Sequence, residues 1–271
     1  MKRRTFFKTA GTAAALSVVK PKFAEPAPTT SLTLGMASYT LRNFGLDECL
    51  QMTARLGLKR IAFKSFHLPL DASDAQVNEA TAKVKSAGLE LYGGGVIYMK
   101  NEQEVQQAFD YCRAAGMQIM IGVPNHELLD LVEAKAKAYD LIVAIHNHGP
   151  GDKLYPSPES IYAKIKDRDR RLGLCLDVGH AQRIALDPSE EFIKYHERVY
   201  DIHIKDVSSS SAEGTTVEIG RGVIDIPKLL RTLSTYHYQG TLALEFEKDE
   251  RDPLPGCAES IGFLRGIMAA W

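Results

Sequence analysis

The segment Ala144–Asp152, AIHNHGPGD, closes an apolar run with two histidines two positions apart. In an extended chain, both imidazoles leave the same face. At neutral pH an imidazole serves as a metal ligand or as a proton carrier. Further ligand-type residues end apolar runs downstream: Asp177 and His180 in LGLCLDVGH, His203, Lys205 and Asp206 in VYDIHIKD, and Glu245 and Glu247 in TLALEFE. Of the eight histidines, His67, His146, His148, His180 and His203 lie at or just past such ends, whereas His196 and His237 are expected inside helices. Mixed imidazole and carboxylate ligands suit Zn²⁺, Mn²⁺, Co²⁺ or Fe²⁺.

These residues are far apart in sequence, so the fold must bring them together. Eight short apolar or β-branched runs alternate with amphipathic stretches: LTLGMASY, KRIAFKSF, LELYGGGVIY, MQIMIGV, LIVAIHNH, LGLCLDVGH, VYDIHIKD and TLALEFE. Each is almost continuously apolar before a polar tip, as expected of strands buried on both faces. The intervening helical patterns open on Ser or Asp, and three of them end at Gly, which are start and stop signals. Eight right-handed β–α units predict an α/β fold of the closed (β/α)8 TIM-barrel type, in which all strand tips open onto one face. A doubly wound sheet would place a Gly-rich phosphate turn after the first strand, and MASYTLRNFG has no GxGxxG. The YGGGV run reads as close backbone packing within the third strand.

The 271 residues, 45% hydrophobic, suffice for one large core and a single domain over residues 31–271. Residues 1–30 read as an export signal and a Pro-rich linker. The start is basic, an apolar stretch runs from Ala10 to Val19, and Arg3-Arg4 followed by Phe6, Phe7 and Lys8 has the twin-arginine look of a protein exported folded, to the periplasm or beyond. An uncleaved signal would be the one membrane contact. Removing the six basic residues of the first 24 leaves 27 basic against 34 acidic residues, net −7, which argues against nucleic acid as a partner. Cys49, Cys112, Cys175 and Cys257 form no CxxC pair and read as buried small residues. A homo-oligomer is compatible with the sequence.

The last three tips, LGLCLDVGHA, VYDIHIKDV and TLALEFEKD, resemble the sixth to eighth strands of the xylose isomerase-like sugar isomerase/epimerase superfamily, and the resemblance covers nearly the whole chain after Ser31. It implies a divalent metal held at His146, Asp177, His203 and Glu245. Family members commonly read Glu-Asn-His where this chain reads His146-Asn147-His148, so an imidazole stands in for a carboxylate. The resemblance further implies Glu245 as the base that removes a proton next to a metal-polarised carbonyl, with His148 or His180 returning a proton. Lys64, His67, Lys205 and Arg221 are the expected contacts to a small sugar substrate. Tyr39, Phe44, Tyr92 and Tyr98 are aromatics suited to stacking on a sugar or to the core.

The expected activity is that of a sugar isomerase or epimerase. The alternatives are a keto-sugar lyase or dehydratase of the same fold, and a non-catalytic exported sugar-binding barrel. An exported location favours free sugars or glycosides over sugar phosphates. The superfamily's endonuclease branch is disfavoured by the acidic body.

Overall fold

The computed structural model describes residues 32–271; the export signal read at residues 1–30 lies outside them. Among the described residues, the chain runs β1 (Thr33–Ala37), α1 (Leu46–Arg55), β2 (Arg60–Phe63), α2 (Asp74–Ser86), β3 (Glu90–Met99), α3 (Glu102–Ala114), β4 (Ile119–Pro124), α4 (Leu129–Tyr139) and β5 (Ile142–His146). It continues through α5 (Pro158–Ile165), β6 (Leu172–Asp177), α6 (Val178–Gln182), α7 (Pro188–Tyr195), β7 (Val199–Ile204), β8 (Asp206–Val207), β9 (Thr216–Val217), α8 (Ile226–Thr235), β10 (Thr241–Leu244) and α9 (Leu254–Ala269).

β1 to β7 and β10 form a closed, all-parallel barrel in which β1 pairs with both β2 and β10, as the alternation of apolar runs predicts. Several of the helices begin at residues whose side chains cap them. Ser73, Asn101, Ser157, Asp187 and Asp225 accept hydrogen bonds from first-turn amides of α2, α3, α5, α7 and α8. The long connection after β7 contains a two-stranded antiparallel ribbon, β8–β9, which the sequence reading leaves as plain insertion. His237, expected within a helix, lies past the end of α8 with φ +53°.

The core has two layers. Leucines, isoleucines and valines fill the space between strands and helices. Inside the barrel, Tyr92 packs among Ala37, Ala62, Ala144, Ala243 and Cys175, all buried, so small side chains on neighbouring strands make room for one large ring. The four cysteines are buried and unpaired, as expected. Among the described residues, no helix is long and apolar enough to cross a membrane.

Candidate functional site

The period of two along each strand sets the site. Ala144, Cys175, Asp201 and Ala243 face into the barrel, and each is followed two residues later by His146, Asp177, His203 and Glu245 one layer nearer the mouth. The tips are pinned to one another. Asn147 Nδ2 donates to the Asp177 carbonyl at 3.1 Å while the Asp177 amide donates to Asn147 Oδ1 at 2.9 Å, locking β5 to β6. The Glu245 amide donates to the Ile204 carbonyl at 3.1 Å, and Thr40 Oγ1 bridges the Leu244 carbonyl and the Phe246 amide. Asp177 Oδ1 accepts from the His180 amide at 2.7 Å and so caps α6.

Ligand-type atoms of His146, Asp177, His203 and Glu245 all lie within 4.8 Å of one another, and all four residues are buried. His146 Nε2 is 3.2 Å from His203 Nδ1 and 3.4 Å from Asp177 Oδ2, and His203 Nδ1 is 3.3 Å from Glu245 Oε2. Buried ring nitrogens without a hydrogen bond concentrate at this mouth: His146 Nδ1, His148 Nδ1, His180 Nδ1 and His203 Nε2. Such orphans are costly unless a ligand completes them.

Burial pushes His146 down to about 3, so it presents a neutral ring with a free lone pair. Burial alone would raise the Asp177 and Glu245 carboxyls, but His180 and Lys205 at the first, and Lys205 and His203 at the second, hold both well below the usual carboxylate range. Two anionic oxygens, the neutral His146 ring and His203, which Glu245 raises against its burial and which has to give up its proton to ligate, thus converge, and that set of residue types fits a divalent transition metal. Cys175 also lies beside His146 and His203, but burial holds its thiol well above the ordinary range and its Sγ points to Asp201, so it is a poor ligand.

Lys205 is the unexpected occupant. Its Nζ lies 2.6 Å from Glu245 Oε2, 2.6 Å from Glu247 Oε1 and 3.0 Å from Asp177 Oδ2, with the side chain 2% exposed. The sequence reading assigned it to substrate; the structure places it as a buried counter-ion of the carboxylates. Behind His203, Asp201 Oδ2 lies 3.7 Å from Nε2, the position of a carboxylate that orients a ligating imidazole. Sequence reasoning missed Asp201, although its spacing two residues before His203 was the available signal.

A cavity of about 290 Å³ opens over this floor. His146, His148, His180, Glu245 and Glu247 line its base, and Tyr39, Lys64, Val96 and Tyr98 form its wall. Tyr98 stacks on His148 at 5.6 Å between ring centroids, with its hydroxyl 2.9 Å from Nε2. Lys64 Nζ donates to the Val96 carbonyl. The other sequence candidates lie outside. His67 binds Ser38 Oγ at 2.9 Å and the Leu41 carbonyl at 3.2 Å, bracing the loop after β1. Arg221 forms a two-pronged pair with Glu259, at 2.5 and 2.7 Å, on the exposed surface.

Fold and site together define a TIM barrel with a cluster of histidine and carboxylate residues that could hold a metal at the carboxyl ends of its last four barrel strands. The chain belongs to the xylose isomerase-like TIM barrel family, whose model matches residues 50–267. It is 26% identical over 146 residues to the rhizopine catabolism protein MocC of Rhizobium meliloti, a match spanning 48% of this chain and 44% of that protein, less than half the length of the relative. A crystal structure of an uncharacterized protein from Parabacteroides distasonis is similar with a TM-score of 0.69 and 26% identity, over 87% of this chain and 98% of that one. The 3-keto-D-glucoside 4-epimerase of E. coli shares the fold at a TM-score of 0.70 and 14% identity, over 87% of this chain and 100% of the other.

Proposed function

We propose that this protein is a divalent-metal-dependent enzyme that isomerises or epimerises a sugar or keto-sugar by removing a proton from the carbon next to a carbonyl. The observation that carries the reading is the set His146, Asp177, His203 and Glu245, whose His146 Nε2, His203 Nδ1 and carboxylate oxygens converge, with His146 and Glu245 lining a cavity of single-ring size. A metal bound there supplies Lewis acidity to a carbonyl oxygen. Glu245, held ionised and facing the cavity, accepts the proton. His148 and His180, lowered chiefly by burial and lining the same cavity, are neutral at pH 7 and pass protons to and from substrate oxygens. Tyr98 orients His148 through its hydroxyl, and the aromatic wall covers the sugar's apolar face.

One observation favours a second reading. With imidazole at position 146, the tetrad presents carboxylates from Asp177 and Glu245 alone, and only Glu245 of these lines the cavity. Chemistry with a single base therefore suits the site, and a lyase in which the same proton removal is followed by loss of a β-substituent uses identical groups.

The test is elemental analysis of the purified protein beside an Asp177→Ala/His203→Ala double variant, followed by keto-sugars in D₂O monitored by proton NMR. Roughly one metal per chain, lost in the variant, is expected. Glu245→Gln is expected to slow C–H exchange by about 10²–10⁴-fold. Unchanged exchange in Glu245→Gln removes the base assignment, while an alkene signal without exchange product selects the lyase.

A further inference from the structure

A second cavity, of about 310 Å³, adjoins the first and shares three of its wall residues, Lys64, Val96 and Tyr98. It lies between the tip of β2, the loop toward α2 and the first turns of α3. Phe63, Leu70, Ile97 and Tyr111 give its lining an apolar part, and Glu104, which accepts from the Lys100 amide at 2.7 Å, adds a carboxylate. Around it stand Ser65, Lys100 and Gln107, whose side chains have no hydrogen-bond partner among the described residues. The divide between the two cavities is one side chain thick: Lys64 reaches across to the Val96 carbonyl, its ammonium 5.7 Å from the centre of the Tyr98 ring. Tyr98 is 44% exposed and presents its ring to both sides.

A lining that mixes apolar side chains with uncommitted donors and acceptors matches the two-sided chemistry of a pyranose, C–H bonds on one face and hydroxyls around the edge. The first cavity holds one ring over the ligand cluster, and a second ring attached to it has to cross the Lys64–Tyr98 divide. We propose that the second cavity receives the outer sugar of a glycoside, so that the substrate is a disaccharide-type molecule whose inner ring reacts; this rests on the sugar-enzyme reading above. Lys64, with donors left beyond its bond to Val96, stands where the glycosidic oxygen passes. Gln107 and Ser65 hydrogen-bond hydroxyls of the outer ring, and Tyr98 stacks against it.

Isothermal titration of the purified protein with cellobiose, maltose and sucrose, each beside its component monosaccharides, tests this. At least one disaccharide is expected to bind about tenfold or more tightly than either component. Ser65→Trp, an exposed position where the indole fills the second cavity without disturbing the core, is expected to abolish that gain and leave monosaccharide affinity unchanged. Gln107→Ala is expected to reduce the gain about threefold or more. Monosaccharide binding with no gain for any disaccharide, or a gain that survives Ser65→Trp, overturns the outer subsite alone. Absence of binding by every sugar overturns the parent reading and the subsite with it.

Discussion

Lys205 brings a positive charge to the place where the ligand cluster needs one. Three carboxylates, Asp177, Glu245 and Glu247, surround its ammonium, while position 146 contributes an imidazole in place of a fourth acid. Buried charges without a partner are costly, by about 3–5 kcal/mol when one member of a pair is removed. Lys205 therefore neutralises these acids, and on the proposed reading a divalent ion would compete with it for Asp177 and Glu245, with Glu247 left as its partner. Lys205→Met is expected to lower the melting temperature in chelator and to enlarge the rise in melting temperature on adding Mn²⁺ or Zn²⁺. Equal metal-induced shifts in the variant and the wild type would show that lysine and metal do not compete. The sequence displayed Lys205 in the IHIKD run, but its spacing could not say that the ammonium folds inward onto acids from two other strands.

At the scale of elements, the loop from β5 to α5 positions the imidazoles. The His148 amide donates to the Tyr155 carbonyl at 3.0 Å, and Asp152 Oδ1 accepts from the Leu154 and Tyr155 amides, curling the segment back over its own start. Gly149, at φ +74°, lies against α6 so closely that a Cβ there would meet the His180 carbonyl at 2.8 Å. Gly151, at φ +86°, has open space around the same position. Both Ala variants carry left-handed strain of about 1–2 kcal/mol, but only Gly149→Ala pushes on His180. We expect similar small losses of thermal stability in the two, with the His148 and His180 ring resonances in ¹H–¹³C NMR moving in Gly149→Ala alone. Unmoved resonances in Gly149→Ala would detach this loop from the site. The GPG run in the sequence signals a turn; which neighbour the turn touches depends on the packing of α6.

At the scale of the whole molecule, the barrel interior beneath the site ties stability to pH. Asp201 is fully buried beside Tyr92, whose hydroxyl donates to Oδ1 at 3.1 Å, and burial pushes its carboxyl up to about 6, against the pull of His203. A carboxyl raised above its ordinary 3.8 favours the fold while protonated, so its contribution is complete below that value and is lost as pH rises through about 6. Asp201→Asn keeps the shape and removes the charge. In chelator, its stability relative to the wild type is expected to rise between pH 4 and pH 7, by on the order of 3 kcal/mol. Denaturant melts at both values check it, and a constant difference would mean that Asp201 is already ionised at pH 4.

The barrel itself was legible in the sequence because strands buried on both faces must read as continuous apolar runs, and helices between them must carry caps and a single apolar stripe. The same regularity placed His146, Asp177, His203 and Glu245 at strand tips, since closure of eight parallel strands brings all such tips to one mouth. Only the tertiary structure decided what surrounds them. That Asp201 backs His203, that Lys205 pairs with three acids, that His67 and Arg221 turn to Ser38 and Glu259, and that Tyr98 divides two cavities all depend on distances between separate strands. Periodicity states which face a residue occupies along its own strand; it contains nothing about the rotamers and register that choose its neighbours across the barrel.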